Sequence, residues 1–440
     1  MANSNYYSKP GRYELQECVL TDFSGETVDM AYLISSFTVL ESINSMFNIY
    51  EFTIVDAVNL LERFTVSGNE KIELTLVKKD TPDGSDEQIT KHLILTKIEA
   101  YARPSNEGQA YKFKAITDTA FKTSIKRVSR SDSDTPTDMI SRLWDEVSFK
   151  TDLVVGDDAV GNMKIVYPNH TYMDTFGLLL SRAANANGSP FYLYDTLWGD
   201  ANLTTHEKLV AEPSIDTFVS RAEDETDPGE EEFDKNRLRI KSFNSKLGVS
   251  NYEGIKRGAF FSTVYSLDIS NKTFVVQDYH IDGSSATPMD SAGRFTLDSG
   301  FTIGDEPATE FLDSKQIFLA TNFTGFEEGA TNLHQESINY IADRNFVGET
   351  QFAATHSIQI HGDSRVQAGK MIEIEIPPAM DPGDVTVPID EYISGVYLVA
   401  TVMHTFDKDG YYNQTLGLRK NYVKDAGSKF SSLRSSKGYG

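Results

Sequence analysis

The sequence predicts a mainly β protein of the α+β class, with many short antiparallel strands and a few helices. Short runs in which apolar and polar residues alternate recur along most of the 440 residues, separated by turn residues. Two segments instead show helical spacing behind capping residues. A hydrophobic content of 39% is enough for sizeable cores, and the length suits two or three domains.

The segment from Tyr13 to about Lys126 is predicted to form an antiparallel barrel or sandwich. Turn residues such as "SGNE" and "DTPDGSDEQ" separate most of its alternating runs. The runs read "YELQECVL", "NIYEFTIVDAV", "EKIELTLVKK", "KHLILTKIEAYA" and "AYKFKAITDTAF".

Two helices are predicted next. "SDSDTPTDMISRLWDEVSF" offers Ser and Thr caps, Pro136 in the first turn and apolar residues at helical spacing. "TYMDTFGLLLSRAANANG" repeats this pattern and ends at "NG", and the strand-like "SPFYLYDTLWG" follows it. Residues 223–234 hold eight acids in twelve positions, which predicts a solvated loop or linker.

The remaining chain returns to a strand pattern in "RLRIKSFN", "GAFFSTVYSLDIS" and "KTFVVQDYHID". The stretch that follows, to about Thr331, is polar and rich in glycine, and it predicts no regular element. "TNLHQESINYIADRNFV" then predicts a helix. "SGVYLVATVMHTFDKDGYYNQTLGLRKN" predicts a hairpin that turns at "DKDG" and includes Tyr397 and His404.

The stretch "IQIHGDSRVQAGKMIEIEIPP" superficially resembles a phosphate-binding loop. Six residues separate Gly362 from Gly369, where such a loop has four, and Met rather than Ser or Thr follows the lysine. Ile372 and Ile374 alternate with glutamates, as in a strand with one buried face. We therefore interpret the stretch as two antiparallel strands joined by a glycine-bounded loop.

The sequence predicts no catalytic residue, no cofactor site and no metal site. "HEKLV" has Val210 where a zinc protease helix needs its second His, and the calcium-like loop from Asp407 has Leu418 at the position of the bidentate Glu. His361 and His404 are expected to share a sheet, as polar strand residues rather than as metal ligands. A single cysteine, Cys18, excludes an intrachain disulfide.

The charge and the hydropathy exclude two classes of partner. A net charge of −24 argues against specific nucleic-acid binding, which would need clustered Lys and Arg. The N-terminus has no apolar run of signal-peptide length, and about 18 consecutive apolar residues occur nowhere. We expect a soluble protein that is made in a cytoplasm and does not insert stably into a membrane.

The order of these segments resembles the baseplate hub protein of contractile-tailed bacteriophages. The resemblance covers most of the chain. It rests most specifically on Gly362 and Gly369 before the Ile372/Ile374 strand, on Tyr397 and His404 in the strand before "DKDG", and on the helix before "GSPFYLYD". Segments 281–330 and 378–392 are long insertions relative to this pattern.

The resemblance implies a homotrimer in which two tube-like barrels per subunit form a ring of six. Such a ring joins a hexameric tail tube to a trimeric spike and lines the channel for DNA, and it meets wedge or sheath-side proteins and the tape measure. The location would be the tail baseplate of a virion assembled in the host cytoplasm. The alternatives are the hub of a non-contractile tail or of another injection device, and a β-rich carbohydrate-active enzyme or adhesin.

We expect three parts of the chain. Residues 1–125 with about 200–240 form the first barrel, 126–199 with about 241–425 form the helices and the second barrel, and 426–440 form a flexible basic tail. That tail is predicted to dock onto an acidic surface of the spike or of a neighbouring hub subunit. Its candidate contacts are Lys429, Phe430, Leu433 and Arg434.

Overall fold

The computed structural model describes residues 10–64, 66–79, 86–105, 108–221, 230–246, 251–259, 261–268, 272–280, 293–294, 302–307, 315–320, 337–350, 354–377, 389–390 and 392–424. Seven strands and a short helix form its N-terminal part: β1 Tyr13–Thr21, β2 Thr27–Asp29, β3 Ile34–Ser42, β4 Ile49–Asp56, α1 Leu60–Arg63, β5 Lys71–Lys78, β6 Glu87–Ser105 and β7 Gly108–Thr117.

A layer that contains both helices and strands follows in the chain. Its elements are α2 Asp118–Ile125, β8 Arg127–Asp134, α3 Pro136–Val147, β9 Leu153–Val155, β10 Met163–Thr171, α4 Tyr172–Leu180, β11 Phe191–Tyr194, β12 Ala201–Thr205 and α5 His206–Ala211. Its four helices each begin after a threonine whose side chain accepts a hydrogen bond from a backbone N–H of the first turn. These caps stabilise the starts of α3 and α4, which the sequence predicts, and of α2 and α5, which it does not.

The C-terminal part alternates strands and short helices. Its elements are β13 Thr217–Ser220, α6 Glu230–Arg237, β14 Arg239–Ile240, β15 Ser242–Lys246, α7 Asn251–Lys256, β16 Phe261–Asp268, β17 Thr273–His280, β18 Gly293–Arg294, β19 Thr302–Ile303, β20 Glu306–Pro307, β21 Gln316–Ala320, α8 Ser337–Thr350, β22 Ala354–His361, β23 Met371–Glu375, β24 Gly395–Asp407, β25 Tyr412–Lys420 and β26 Val423–Lys424.

One sheet of 14 strands organises the molecule. Its main path runs β14-β13-β23-β24-β3-β4-β7-β6-β5-β1-β2, and β25, β22 and β15 extend in that order from the other edge of β24. Seven of the strands come from the N-terminal part, β1 to β7, and seven from the C-terminal part. We call these two sets the N-half and the C-half.

Strand β24 joins the two halves. On one edge it pairs with β25 along most of its length. On its other edge, residues 395–398 pair with β23 of the C-half, and residues 401–407 pair with β3 of the N-half. The register with β25 shifts between Val399 and Thr401, which marks a bulge at the point where β24 passes from one half to the other.

Each half has its own hydrophobic core on the inner face of its strands. The N-half core includes Phe37, Phe52 and Phe113, and the C-half core includes Ile374 and Tyr397. The middle layer has a third core around Trp144 and Phe176, against which Ile116 of β7 packs. A small fourth core covers the outer face of the junction; it consists of Ile43, Tyr194, Leu209, Ala368, Met371, Leu398 and Ala400.

The structure confirms the mainly β, α+β class and most of the predicted elements. Three expectations are wrong in part. The end of the strand-like run "AYKFKAITDTAF" begins helix α2, and the stretch to about Thr331, which predicted no regular element, contains β18 to β21. Within the acidic run 223–234, helix α6 begins at Glu230, and Phe233 on that helix is buried. Burial of this aromatic ring explains the helix, because a purely solvated segment has no apolar side chain to anchor it. The domain boundaries stay a prediction. Strand β13 pairs with β23 of the C-half, and β14 pairs with β13.

Candidate functional site

A buried polar network lies where the two halves join. Glu41 on β3 and His404 on β24 have no exposed surface, and Glu41 Oε2 lies 3.1 Å from His404 Nε2. The other ring nitrogen, Nδ1, lies 2.7 Å from the hydroxyl of Tyr412 at the start of β25. The indole N–H of Trp198 donates to the same hydroxyl at 3.1 Å.

The donors and acceptors of this network fit one assignment of hydrogens. An indole N–H only donates, so the Tyr412 oxygen accepts from Trp198 and its own hydrogen points to His404 Nδ1. The hydrogen on His404 Nε2 is then donated to Glu41. Every polar side-chain group in this chain of contacts therefore has a partner.

Glu41 also binds two loops. Its Oε2 accepts from the backbone N–H of Leu197 at 2.9 Å, and its Oε1 accepts from that of Ala368. A buried carboxylate is tolerated only where hydrogen bonds replace its lost water, and these donors supply that replacement. One side chain of the N-half thus fixes the loop before β12 and the loop before β23.

Two glycines allow the loop before β23 to pack closely. Gly369 has φ +86°, a conformation that side chains rarely adopt, and a Cβ at this position would lie 2.1 Å from the Tyr194 hydroxyl. A Cβ on Gly362 would lie 2.0 Å from the Tyr412 ring. The backbone N–H of Gly369 donates to Val399, next to the bulge in β24. Both glycines of the predicted loop therefore pack against residues at the junction.

An ion cluster continues from this loop into the C-half. Asp363, which is almost fully buried, accepts from Arg365 at 2.7 Å and from Arg237 at 3.0 Å, and both arginines also reach Asp216. Burial by itself would raise the pKa of Asp363, but the hydrogen bonds and charge of Arg365 hold that pKa below its usual range. The cluster connects α6, the segment before β13 and the loop after β22.

The structure places the predicted signature residues in or beside this junction. Ile372, Ile374 and Tyr397 are fully buried in the C-half core, and His404 belongs to the polar network. Lys370, the lysine of the phosphate-loop-like stretch, instead forms an ion pair with Glu212 at 2.8 Å. The candidate docking residues of the tail, Lys429, Phe430, Leu433 and Arg434, lie outside the described residues.

His361 and His404 share the 14-stranded sheet but do not form a pair of ligands. β25 separates their strands, and His361 pairs with Asn413 on the outer face, whereas His404 pairs with Gln414 on the inner face. Burial lowers the pKa of His361 to about 3, so this ring is neutral at physiological pH.

A polar cleft of about 260 Å³ lies between β6 and the middle layer. Lys91, on its wall, donates to the backbone carbonyls of Thr196 and Gly199, and Lys150 Nζ lies 3.1 Å from His92 Nε2. The cations of the cleft are thus already engaged within the protein.

The described residues contain no group of three or more His, Cys, Asp or Glu side chains that could hold a metal ion. No helix in the described part is long and apolar enough to cross a membrane. The junction, where the contact between Glu41 and His404 joins the two halves, is the candidate functional site.

Three important residues of the junction were missed by the sequence reasoning: Glu41, Trp198 and Asp363. Glu41 gave a signal, because it stands at an inward position of the alternating run after Phe37 and Val39. A lone acid at a core position predicts a buried partner. The sequence places Trp198 at the end of the strand-like run "SPFYLYDTLWG", but β11 ends at Tyr194, and Asp363 lies in the glycine-bounded loop; neither position identifies a partner from the sequence.

The fold resembles that of phage tail proteins of known structure. The 43 kDa tail protein of prophage MuSo2 from Shewanella oneidensis is 11% identical, with 91% of this chain and 97% of that chain aligned at a TM-score of 0.50. A tail protein from Neisseria meningitidis MC58 is 13% identical, with 93% and 96% aligned at 0.49. Prophage tail protein gp18 from Listeria monocytogenes EGD-e is 9% identical, with 96% and 99% aligned at 0.43.

No protein-family model matches the sequence, and no curated protein matches it either. The match to the MuSo2 tail protein shows a shared fold over nearly the whole of both chains. At the level of the fold, it confirms the resemblance to tail proteins that the order of segments indicates.

Proposed function

We propose that this chain is a structural hub of a phage tail baseplate. Three copies form a ring that joins a hexameric tail tube to a trimeric spike and surrounds the channel through which DNA passes. The observation that carries the proposal is the division of the 14-stranded sheet into two halves of seven strands, each with its own core.

Two halves per chain solve a problem of symmetry. A closed ring of three chains presents six sheet halves, which gives a hexameric tube six near-equivalent positions while a trimeric spike meets three. The shared strand β24 and the Glu41–His404 network hold the two halves of one chain in a fixed relation. The shared fold with a prophage tail protein supports this assignment.

The charge of the chain suits a conduit. A net charge of −24 repels a DNA duplex, so DNA passes without a specific binding site. Wedge or sheath-side proteins and the tape measure are the further partners of such a hub, and assembly takes place in the host cytoplasm.

The proposed role is structural rather than enzymatic. At the junction, the polar side chains form hydrogen bonds with one another or with the backbone, so these groups stabilise the fold rather than face a substrate. A catalytic centre would need converging groups that are open to a substrate.

Light scattering tests the hub directly. We expect a particle of three times the 49.1 kDa chain mass, and negative-stain averages should show a ring with a central hole. The protein is measured at micromolar concentration, alone and with its tube and spike neighbours. A particle that stays monomeric or dimeric under all these conditions contradicts the proposal.

A further inference from the structure

An exposed apolar face lies on the three-stranded sheet β17-β16-β21. Leu267, Phe274, Val276 and Phe318 are 47–75% exposed and share one face with Tyr265. The Tyr265 ring stacks on those of Phe318 and Phe274, with centroids 4.9 and 6.1 Å apart. We call these five side chains the aromatic face.

On the opposite face of the same sheet, strand β16 is packed, whereas Val275 of β17 is 46% exposed. Val264 and Ser266 are buried there, and Tyr279 at the end of β17 packs against the small core around Ala259 and Phe346. The sheet is thus anchored to α8 from one side, and its apolar side chains on the other side form a contiguous patch. Patches of this kind mark binding surfaces.

We propose that the C-terminal segment 425–440 of the same chain binds the aromatic face. This segment begins directly after β26. β26 pairs with β18, with Lys424 opposite Gly293 and Val423 opposite Arg294, and β18 lies in the chain between β17 and β21, two of the strands that carry the aromatic face. The sixteen residues from 425 to 440 span up to about 50 Å when extended.

The segment and the aromatic face are also chemically complementary. Segment 425–440 offers Phe430, Leu433 and Tyr439 as apolar side chains, among Lys429, Arg434 and Lys437 and a single acid. Residues 251–350, which include the aromatic face, carry fifteen acids against six basic residues. The apolar side chains of segment 425–440 match the aromatic face, and its basic residues match the acidic composition of residues 251–350. Both hydrophobic contact and charge therefore favour this segment as the partner of the aromatic face.

Disulfide trapping tests the proposal. The variant pair Val276→Cys with Phe430→Cys should form a disulfide under mild oxidation, seen as a faster-migrating single chain on a non-reducing gel. The native Cys18 is fully buried and does not interfere. The matched control is Phe23→Cys with Phe430→Cys, because Phe23 is 82% exposed on the turn between β1 and β2 and should not be trapped.

The outcomes of this experiment are distinct. Trapping within one chain at 276 but not at 23 supports the proposal. No trapping at 276, or equal trapping at both positions, overturns it. Trapping only between chains also overturns it, because the segment then binds a neighbouring copy, as expected of a tail that docks onto another hub subunit.

A second measurement does not depend on engineered cysteines. Removal of residues 426–440 should raise the fluorescence of a dye that binds apolar surfaces at least two-fold, and Phe318→Ser in the truncated chain should reverse most of that rise. An unchanged signal after truncation contradicts the proposal. Light scattering on the same samples separates this inference from the hub proposal, because truncation should leave the number of chains per particle unchanged.

Discussion

Individual residues at the junction show how a β-rich chain with little helix stabilises one arrangement among many. A strand that slips by one residue turns its apolar side chains to the wrong face. Here a slip of β3 against β24 would also separate Glu41 from His404 and leave both polar groups buried without partners. The network therefore penalises the wrong register more strongly than apolar packing alone would.

Gly369→Val should destabilise the protein by about 3 kcal/mol, since a positive φ costs about 1–2 kcal/mol and the collision with Tyr194 costs a similar amount. Gly25→Val is the matched control. Gly25 has φ +85° but nothing within 4 Å of its virtual Cβ, so only the backbone cost of about 1 kcal/mol is expected. Urea unfolding of both variants measures the difference. Equal losses would show that the Tyr194 contact relaxes at no cost.

His356 predicts a pH dependence. It is buried on β22 between the rings of Phe243 and Tyr397, neither ring nitrogen has a hydrogen-bond partner among the described residues, and burial, reinforced by Lys420, lowers its pKa to about 4. The unfolded chain binds this proton below about pH 6.5 and the folded chain does not, so stability is lost as the pH falls from 6.5 towards 4.

His356→Phe removes this titration and fits between the same rings. Relative to wild type, its free energy of unfolding should gain about 2 kcal/mol more at pH 5 than at pH 8. His356→Gln removes the titration but keeps a buried polar group, so it should show the same pH trend with a lower stability throughout. Urea unfolding at the two pH values measures both. If the difference in free energy of unfolding between wild type and His356→Phe is the same at both pH values, His356 does not cause the pH dependence.

At the scale of elements, alternation in the sequence predicts the strands well but not the way they join. β4 and β7 alternate between a dry and a wet face along their whole length, and that period depends only on neighbouring residues. The pairing of β3 with β24 joins residues such as Leu40 and Met403, which are far apart in the chain. No local pattern encodes such a pairing, so the single 14-stranded sheet could not be predicted.

Loss of the Glu41 carboxylate should weaken the connection between the halves. In Glu41→Gln one oxygen becomes an NH₂ group that faces N–H donors, so at least one buried donor loses its acceptor, at an expected cost of about 2–4 kcal/mol. The control is Glu51→Gln on β4, where an exposed ion pair with Lys114 at 3.1 Å is worth less than about 1 kcal/mol.

Chemical denaturation of both variants compares the two sites under one condition. A change at Glu41 no larger than that at Glu51 would mean that the junction does not depend on the buried carboxylate. A lower slope of unfolding free energy against denaturant in Glu41→Gln would indicate that the halves no longer unfold together.

At the scale of the whole molecule, the negative charge is not spread over the outer face of the large sheet. Ser, Thr and Asn occupy many of its outward positions, and its charges offset one another, as where Lys114 contacts both Glu51 and Glu99. The excess of acids is concentrated elsewhere in the sequence, as in residues 251–350, which carry fifteen acids against six basic residues. This leaves the outer face with little electrostatic penalty for packing against another protein.

The stability of the proposed trimer should increase with salt concentration, because the chains carry the same sign of charge. Three chains of net charge −24 repel one another, and this repulsion extends about 30 Å at 0.01 M salt but only about 8 Å at 0.15 M. We expect the trimeric fraction at fixed protein concentration to rise as NaCl increases over this range. Light-scattering mass measures it, with sucrose of matched osmolality as a control for general solvent effects. A trimer that dissociates as salt increases would show instead that ion pairs across the interface hold the chains together, because such pairs weaken when they are screened.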